Sequence, residues 1–386
     1  MRKFKISVGL EVREKKNIFK FLREIFLRIT SHRRKAVYGL LHPSASIEPI
    51  LQQYSSLALR KAALPWLTVI IPSFDEPVLD IVPGILKLDS RCDIVIVNDN
   101  PSRKLVYHDL RVRILNNDEN IGRSASRNMG AQASRDGILL FMDADVRLKD
   151  SDALRKIRKF YSRKENSGVI MKCQVLYNID KYNSDEYTAS YVLNEGRIIG
   201  GVSADYDYIP FTSDFFACSR VQFMKYPFDE SFKLWGNEDV DFARGQSSLG
   251  ARLLYNEDVY SYSYAKDSLY DLARKFLECG ITLRQFHEKW EGSGKNYYRS
   301  MDTSTAHIFS RLIRMPEKEL RNAILETILS IKRIEKSKKR LMFVPKDISA
   351  LHSQTITNLI NLLRAYGYSR LHDSKDVGRF LRGLNV

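Results

Sequence analysis

The sequence predicts an α/β fold with a mostly parallel central sheet, helices on both faces of it, and helical extensions at the two ends. Three observations carry this. Short apolar runs rich in Val and Ile alternate with helix-like segments between residues 66 and 142. Each main run ends in polar or acidic residues, as "PSFDE", "NDN" and "DAD". The flanks read as amphipathic or leucine-rich helices and hold all of the surplus positive charge.

Taken in order, "NIFKFLREIFLRIT" (17–30) places Ile18, Leu22, Ile25 and Ile29 at helical spacing among Lys20, Arg23 and Arg28. Such a helix docks on a core or lies on an anionic membrane surface, and both readings stay open. "WLTVII" (Trp66 to Ile71) is a buried-type strand, followed by a helix over Pro77 to Leu88. "DIVIVND" (Asp93 to Asp99) and "VRIL" (Val112 to Leu115) are further strands. A helix over Arg123 to Arg135 leads into the strand Ile138 to Met142. "AILETILSIKRIEKSKKRLMF" and "ITNLINLLRAYGYSRL" read as C-terminal helices. The expected organisation is a basic helical extension over 1–64, a catalytic α/β domain over 65–266 and a basic, mostly helical region over 267–386.

Composition narrows the class. The 386 residues are 44% hydrophobic and 11% aromatic, ample for a core. Cys92, Cys173, Cys218 and Cys279 form no CxxC pair, so neither a zinc site nor a disulfide framework is expected and a reducing cytosol is the default. The N-terminus lacks a continuous apolar stretch and no run reaches about 18 apolar residues, so neither signal peptide nor spanning helix is expected. Any membrane contact would be peripheral, on the inner face. The net charge of +16 is uneven: residues 1–64 carry 14 Lys/Arg against 4 Asp/Glu and residues 267–386 carry 22 against 13. The stretch between is mildly acidic. That argues against a nucleic-acid partner, which needs a basic face with motif support. The cluster Arg333, Lys336, Lys338, Lys339 and Arg340 is a solvated face or an attractor for an anionic leaflet or an acidic acceptor.

The motif "GILLFMDADVRLKD" sets Asp143 and Asp145 one residue apart at a strand end, where alternate side chains can converge on one cation or hydroxyl-rich ligand. In open α/β sheets, ligands bind outside the carboxyl ends of the strands.

Together "TVIIPSFDEP", "DIVIVNDNPSRK" and "NDENIGRSASRNMGAQASRDGILLFMDADV" resemble the inverting family 2 glycosyltransferases, with their nucleotide-sugar-binding GT-A fold. "FDESFKLWGNEDVDFARGQSSLGARLLY" resembles the W-G-x-E-D motif of galactosyltransferases and chondroitin-polymerase-like enzymes. The resemblance covers about residues 66 to 264. It implies transfer of a sugar from a nucleotide-sugar donor, with UDP expected, to a glycan or lipid-linked acceptor, as in cell-surface polysaccharide or glycoconjugate synthesis. It also implies a divalent cation, Mn²⁺ or Mg²⁺, bridging the diphosphate.

By that resemblance Asp145 is the metal ligand, while Asp143 faces the ribose or supports the ion, with Ala144 between them on the donor. Asp99 accepts from the uracil imide N–H, and Pro72, Ser73, Asp75 and Glu76 wrap base and ribose. A helix N-cap before Pro77 explains Asp75 equally well. Arg123 and Arg127, at a helix start, suit a diphosphate or are solvated surface residues. Asp239 is the base that takes the acceptor proton, with Glu238 binding the acceptor or holding the loop. Trp235 and Gly236 give an apolar platform and a turn for a pyranose. Thr212, Ser213 and Asp214 contact donor sugar or acceptor, or form an ordinary strand and turn.

One departure concerns the metal. Related enzymes place a His after the following strand, where this sequence has Tyr260, Tyr262 and Tyr264. A protonated tyrosine is a poor ligand, so the sequence also admits a catalytically weak or inactive binding subunit with the same fold.

Overall fold

The protein is described by a computed structural model covering residues 65–148, 150–177, 211–263, 268–290, 303–338 and 346–384. The amphipathic stretch at 17–30, Tyr264, Lys339 and Arg340 lie outside the described residues.

Eight strands form one sheet: β1 (Leu67–Ser73), β2 (Cys92–Asn98), β3 (Val112–Asn116), β4 (Ile138–Met142), β5 (Val146–Leu148), β6 (Val169–Tyr177), β7 (Phe215–Ser219) and β8 (Arg252–Ser263). Their order is β3-β2-β1-β4-β7-β6-β8-β5. The predicted half is parallel, with Leu67 beside Cys92 and Ile138 in register, and β3 runs parallel to β2. Beyond β4 the sheet turns mixed: β7 is antiparallel to both β4 and β6, and β8 is parallel to β6 but antiparallel to β5. Every residue of β4 is buried, as its unbroken apolar run requires of a strand covered on both faces.

The described α-helices are α1 (Val82–Leu88), α2 (Arg123–Ala133), α3 (Ala153–Tyr161), α4 (Arg220–Phe223), α5 (Glu238–Ser248), α6 (Leu269–Trp290), α7 (Thr303–Arg314), α8 (Glu317–Lys338), α9 (Lys346–Arg370) and α10 (Ser374–Leu384). The helix expected from Pro77 is split. A 3₁₀ turn covers Val78–Ile81 and α1 follows, with Pro83 in its first turn, where the missing N–H costs nothing. No described helix is long and apolar enough to cross a membrane.

Two apolar layers sandwich the sheet. One joins β1, β2 and β4 to α1 and α3 through Leu67, Ile85, Ile94, Leu140 and Ile157. The other is aromatic: Phe141 stacks on Phe216 at 4.5 Å and Phe228 on Phe242 at 4.4 Å, with Phe223 between the pairs. Such rings add about 0.5–1.5 kcal/mol per pair beyond their buried area. The C-terminal helices α6, α8, α9 and α10 gather a third apolar cluster of their own. All four cysteines are free and buried.

Candidate active site at the carboxyl edge of the sheet

β1, β2 and β4 all deliver polar residues to one edge. After β1, Glu76 folds back so that its carboxylate accepts from the Phe74 N–H at 2.8 Å and the Ser73 hydroxyl at 3.4 Å. Arg103 closes this loop from the β2 side, donating to the carbonyls of Phe74, Asp75 and Glu76 at 3.1–3.3 Å. Asp75 is exposed and accepts from the Asn100 amide at 2.7 Å. The 3₁₀ turn after Pro77 has no side-chain cap, so the capping role weighed for Asp75 is not what it does.

Asp99, buried at the end of β2, accepts from Asn117 Nδ2 at 2.9 Å and from the backbone N–H groups of Ile121 and Gly122 at 2.8 and 2.9 Å. Its carboxylate thus shapes the Asn-Ile-Gly loop. Gly122 has φ +86°, a left-handed conformation that favours glycine, and α2 begins immediately after it.

The two arginines of α2 part company. Arg127 is 1% exposed and donates to Asp143 at 2.8 Å and to Glu238 at 3.4 Å, while its guanidinium lies 5.3 Å from the Phe228 ring centroid. Its fork is committed within the protein, which corrects the picture of a free phosphate binder or a solvated surface residue. Arg123 also donates to Glu238 at 3.4 Å, but its side chain remains 37% exposed and can reach an anion. Arg127 thereby joins the first carboxylate of the D-x-D stretch to the Glu of the W-G-x-E-D stretch, 111 residues apart. Glu238 is almost fully buried, and its Oε2 has no partner among the described residues.

Asp145 accepts from the Ser263 hydroxyl at 2.7 Å. Ser263 ends β8, in the stretch where the sequence offered tyrosines in place of a histidine, and the contact escaped sequence reasoning because no residue type announced it. Burial, then the neighbouring Asp143, pushes the Asp145 carboxyl up to about 6. Ala144 has its methyl in the apolar core, so any ligand contact there falls to its backbone.

Asp214 stands just before β7, and its carbonyl accepts the Asp143 N–H at 2.8 Å. Its carboxylate is ion-paired with buried Lys172 on β6 and accepts from Thr212 at 2.7 Å. Burial opposes ionisation of Asp214, but Lys172 prevails and holds its carboxyl below the usual range. Lys172 was not singled out from the sequence; a lysine inside an apolar strand run was the available signal.

The W-G-x-E-D turn follows a left-handed path, with φ +96° at Gly236 and +64° at Asn237. Trp235 packs its ring edge-on against Phe276 of α6 at 5.5 Å, and its backbone N–H donates to Glu278 at 3.1 Å. Glu238 and Asp239 then open α5, where carboxylates suit the helix dipole. Burial and adjacent Glu238 push Asp239 up to about 7, against the pull of Arg127 and Arg123.

Residues 68–226 match the model of the family described as Glycosyl transferase family 2. This span runs from β1 through α4, so the carboxyl edge of β1, β2 and β4 lies within the stretch that matches this family. Glu238 and Asp239 lie beyond the match. No curated protein matches the chain. Among solved structures, it is similar to GalNAc-T7 with UDP, GalNAc and Mn²⁺, at 15% identity and TM-score 0.41, covering 63% of this chain and 51% of that one. It thus spans about half the length of that structure. It is also similar to the mannosyltransferase PcManGT from Pyrobaculum calidifontis in complex with GDP-Man and Mn²⁺, at 15% identity and TM-score 0.44, covering 82% and 96%. A third is S. aureus TarS 1-349 in complex with UDP-GlcNAc, at 14% identity and TM-score 0.44, covering 81% and 92%.

Proposed function

We propose that the protein transfers a sugar, with inversion, from a UDP-sugar to a hydroxyl of a glycan or lipid-linked acceptor, assisted by a divalent cation. The observation that carries this reading is the meeting of Asp143 and Glu238 on one buried guanidinium, which puts the D-x-D pair and the Glu238–Asp239 pair at one edge. Asp99 has about one acceptor position left of roughly four and takes the uracil imide N–H. Arg123 faces the diphosphate.

The residues present fit a cation shared with the substrate rather than one enclosed by protein. Asp143 and Asp145 are hard oxygen donors, burial and then repulsion from Asp143 raise Asp145, and the described residues contain no group of three or more His, Cys, Asp or Glu able to hold a metal alone. Diphosphate oxygens and water would complete the shell, the arrangement Mg²⁺ commonly adopts. When bound, the cation would offset the charge that builds on the leaving diphosphate.

Asp239 accepts the acceptor's hydroxyl proton as that oxygen bonds to the anomeric carbon, while the bond from this carbon to the diphosphate breaks and UDP departs. A carboxyl near 7 suits this task, because about half of it is ionised at neutral pH and it is basic enough to hold the proton. Ser263 and Arg127 orient the D-x-D carboxylates. The basic ends of the chain suit a peripheral position on an anionic cytoplasmic leaflet.

The test is release of nucleoside diphosphate from UDP-, GDP- and dTDP-sugars with Mn²⁺, Mg²⁺ or EDTA. Turnover of a UDP-sugar that needs metal and is lost in Asp145→Ala is expected. Metal-independent turnover that survives Asp145→Ala would refute the assignment.

A further inference from the structure

The helix α6 bonds to the 229–241 stretch along most of its length. Glu278 accepts the Trp235 backbone N–H at 3.1 Å. Asn237 Nδ2 donates to the Cys279 carbonyl at 3.1 Å and to Thr282 Oγ1 at 2.9 Å. Gln285 donates to the Ser231 hydroxyl at 2.8 Å. Lys289 bridges Asp229 and Asp241 at 2.6 and 2.9 Å, and Trp290 Nε1 reaches Asp241 at 2.8 Å. Residues 278, 282, 285 and 289 form one stripe at helical spacing, so a single face of α6 grips the segment that carries Glu238 and Asp239.

The grip is tightest at the turn before α5. A Cβ on Gly236 would meet Cys279 Sγ at 3.2 Å. Asn237 takes the left-handed conformation that Asn tolerates better than most residues, and its buried amide fixes the peptide just before Glu238. Thr282 is 1% exposed and acts as a relay, accepting from Asn237 while its own proton goes to one of the nearby carbonyls of Glu278, Cys279 or Trp235.

We propose that Thr282 and Asn237 are positioning residues for Asp239, and that the C-terminal helices are therefore part of the catalytic unit. This rests on the reading of Asp239 as base. Thr282→Val keeps the side chain's shape and deletes the relay; Thr282→Ser keeps it. Hydrogen exchange on the full chain needs no substrate. Exchange at residues 236–241 should quicken about tenfold or more in Thr282→Val, with β1 and β4 unchanged, and stay parental in Thr282→Ser. Misplacing a reacting group by about 1 Å costs on the order of 10²-fold in rate. In nucleoside diphosphate release from whichever of UDP-glucose, UDP-N-acetylglucosamine and GDP-mannose is turned over, kcat of Thr282→Val should therefore fall about tenfold or more. Donor KM should hold within about twofold, and Thr282→Ser should recover kcat. Adding Asn237→Gly to Thr282→Val should cost little more, because both cut one link.

Parental exchange in Thr282→Val, or equal loss in the Ser and Val variants, would overturn the inference. Asp239→Asn in the same assay separates the two ideas. If it transfers at the parental rate, the base reading falls. If it is inactive while Thr282→Val has parental kcat, the positioning inference alone falls.

Discussion

Replacing Asp239 by Asn should move activity and stability in opposite directions. Burial and Glu238 push this carboxyl up to about 7, against 3.8 for an ordinary one. The native protein therefore holds this proton more tightly than the unfolded chain does. Its stabilising contribution is complete below about pH 4 and is lost as pH rises through about 7. A displacement of about three pH units, at about 1.36 kcal/mol each, sets a ceiling of about 4 kcal/mol. Screening of a partly exposed group reduces this to about 1–2 kcal/mol. Asn at 239 cannot ionise, yet its side-chain oxygen can still accept the Val240 N–H that meets Asp239 at 2.9 Å. Thermal unfolding at pH 8 should show Asp239→Asn melting a few degrees above the parent, with the difference gone at pH 4. Transfer should fall by about 10²–10⁴-fold, and the acidic limb of the pH–rate profile near 7 should vanish. That limb belongs to the Glu238–Asp239 pair rather than to one carboxyl. Parental transfer in Asp239→Asn, or a lower melting point at pH 8, would refute the reasoning.

Three further outcomes follow from the same geometry. Without divalent cation, stability should be lost as pH rises from about 4 through about 6, where Asp145 ionises. Mn²⁺ or Mg²⁺ should raise the melting point at pH 7.5 but not at pH 4, and an equal rise in Asp145→Asn would place the cation elsewhere. Arg127→Met leaves Asp143 without its cation and the buried Glu238 with Arg123 alone, so urea unfolding should show a loss of about 3–5 kcal/mol. Arg127→Lys should not recover it, because the planar fork that serves two carboxylates is gone; a loss under about 1 kcal/mol would sink this. A Cβ on Gly280 would meet the Arg364 carbonyl at 2.2 Å, whereas one on Gly84 would meet nothing within 4 Å. Gly280→Ala should thus lose about 1–3 kcal/mol by overpacking α6 against α9. Gly84→Ala is the control and should be neutral or slightly stabilising.

The sequence made one half of this site readable and hid the other. Asp99, Asp143 and Asp145 follow apolar strand runs, and a run of Ile138 to Met142 leaves its successor nowhere to go but the sheet edge. Their partners were not readable, because hydrogen bonds across 16 to 118 residues leave no periodic trace. Ser263 is a small hydroxyl at a strand end, and Arg103 is an arginine in a loop. Arg127 read either as a diphosphate contact or as a solvated surface residue, and neither reading foresaw its burial among Phe228, Asp143 and Glu238. The boundary expected at 266 followed a change in charge, which says nothing about which helix face meets which loop.

The charge at this edge suits the cation proposed above. Among the described residues, Asp143, Asp214 and Glu238 are ion-paired with Arg127, Arg123 and Lys172, and Asp145 and Asp239 add two further carboxylates to the edge, so negative groups exceed positive ones. The protein relieves part of the surplus by holding protons on Asp145 and Asp239 toward neutrality, at the cost of stability there. Truncating either carboxyl would make a steadier fold and a poorer site, the trade expected where polar groups are kept under-satisfied for chemistry. Arg127 opposes the repulsion within that surplus, since one fixed guanidinium pairs with a carboxylate from the end of β4 and one from the start of α5. A solvated lysine could balance the charge but could not hold the two sides in register.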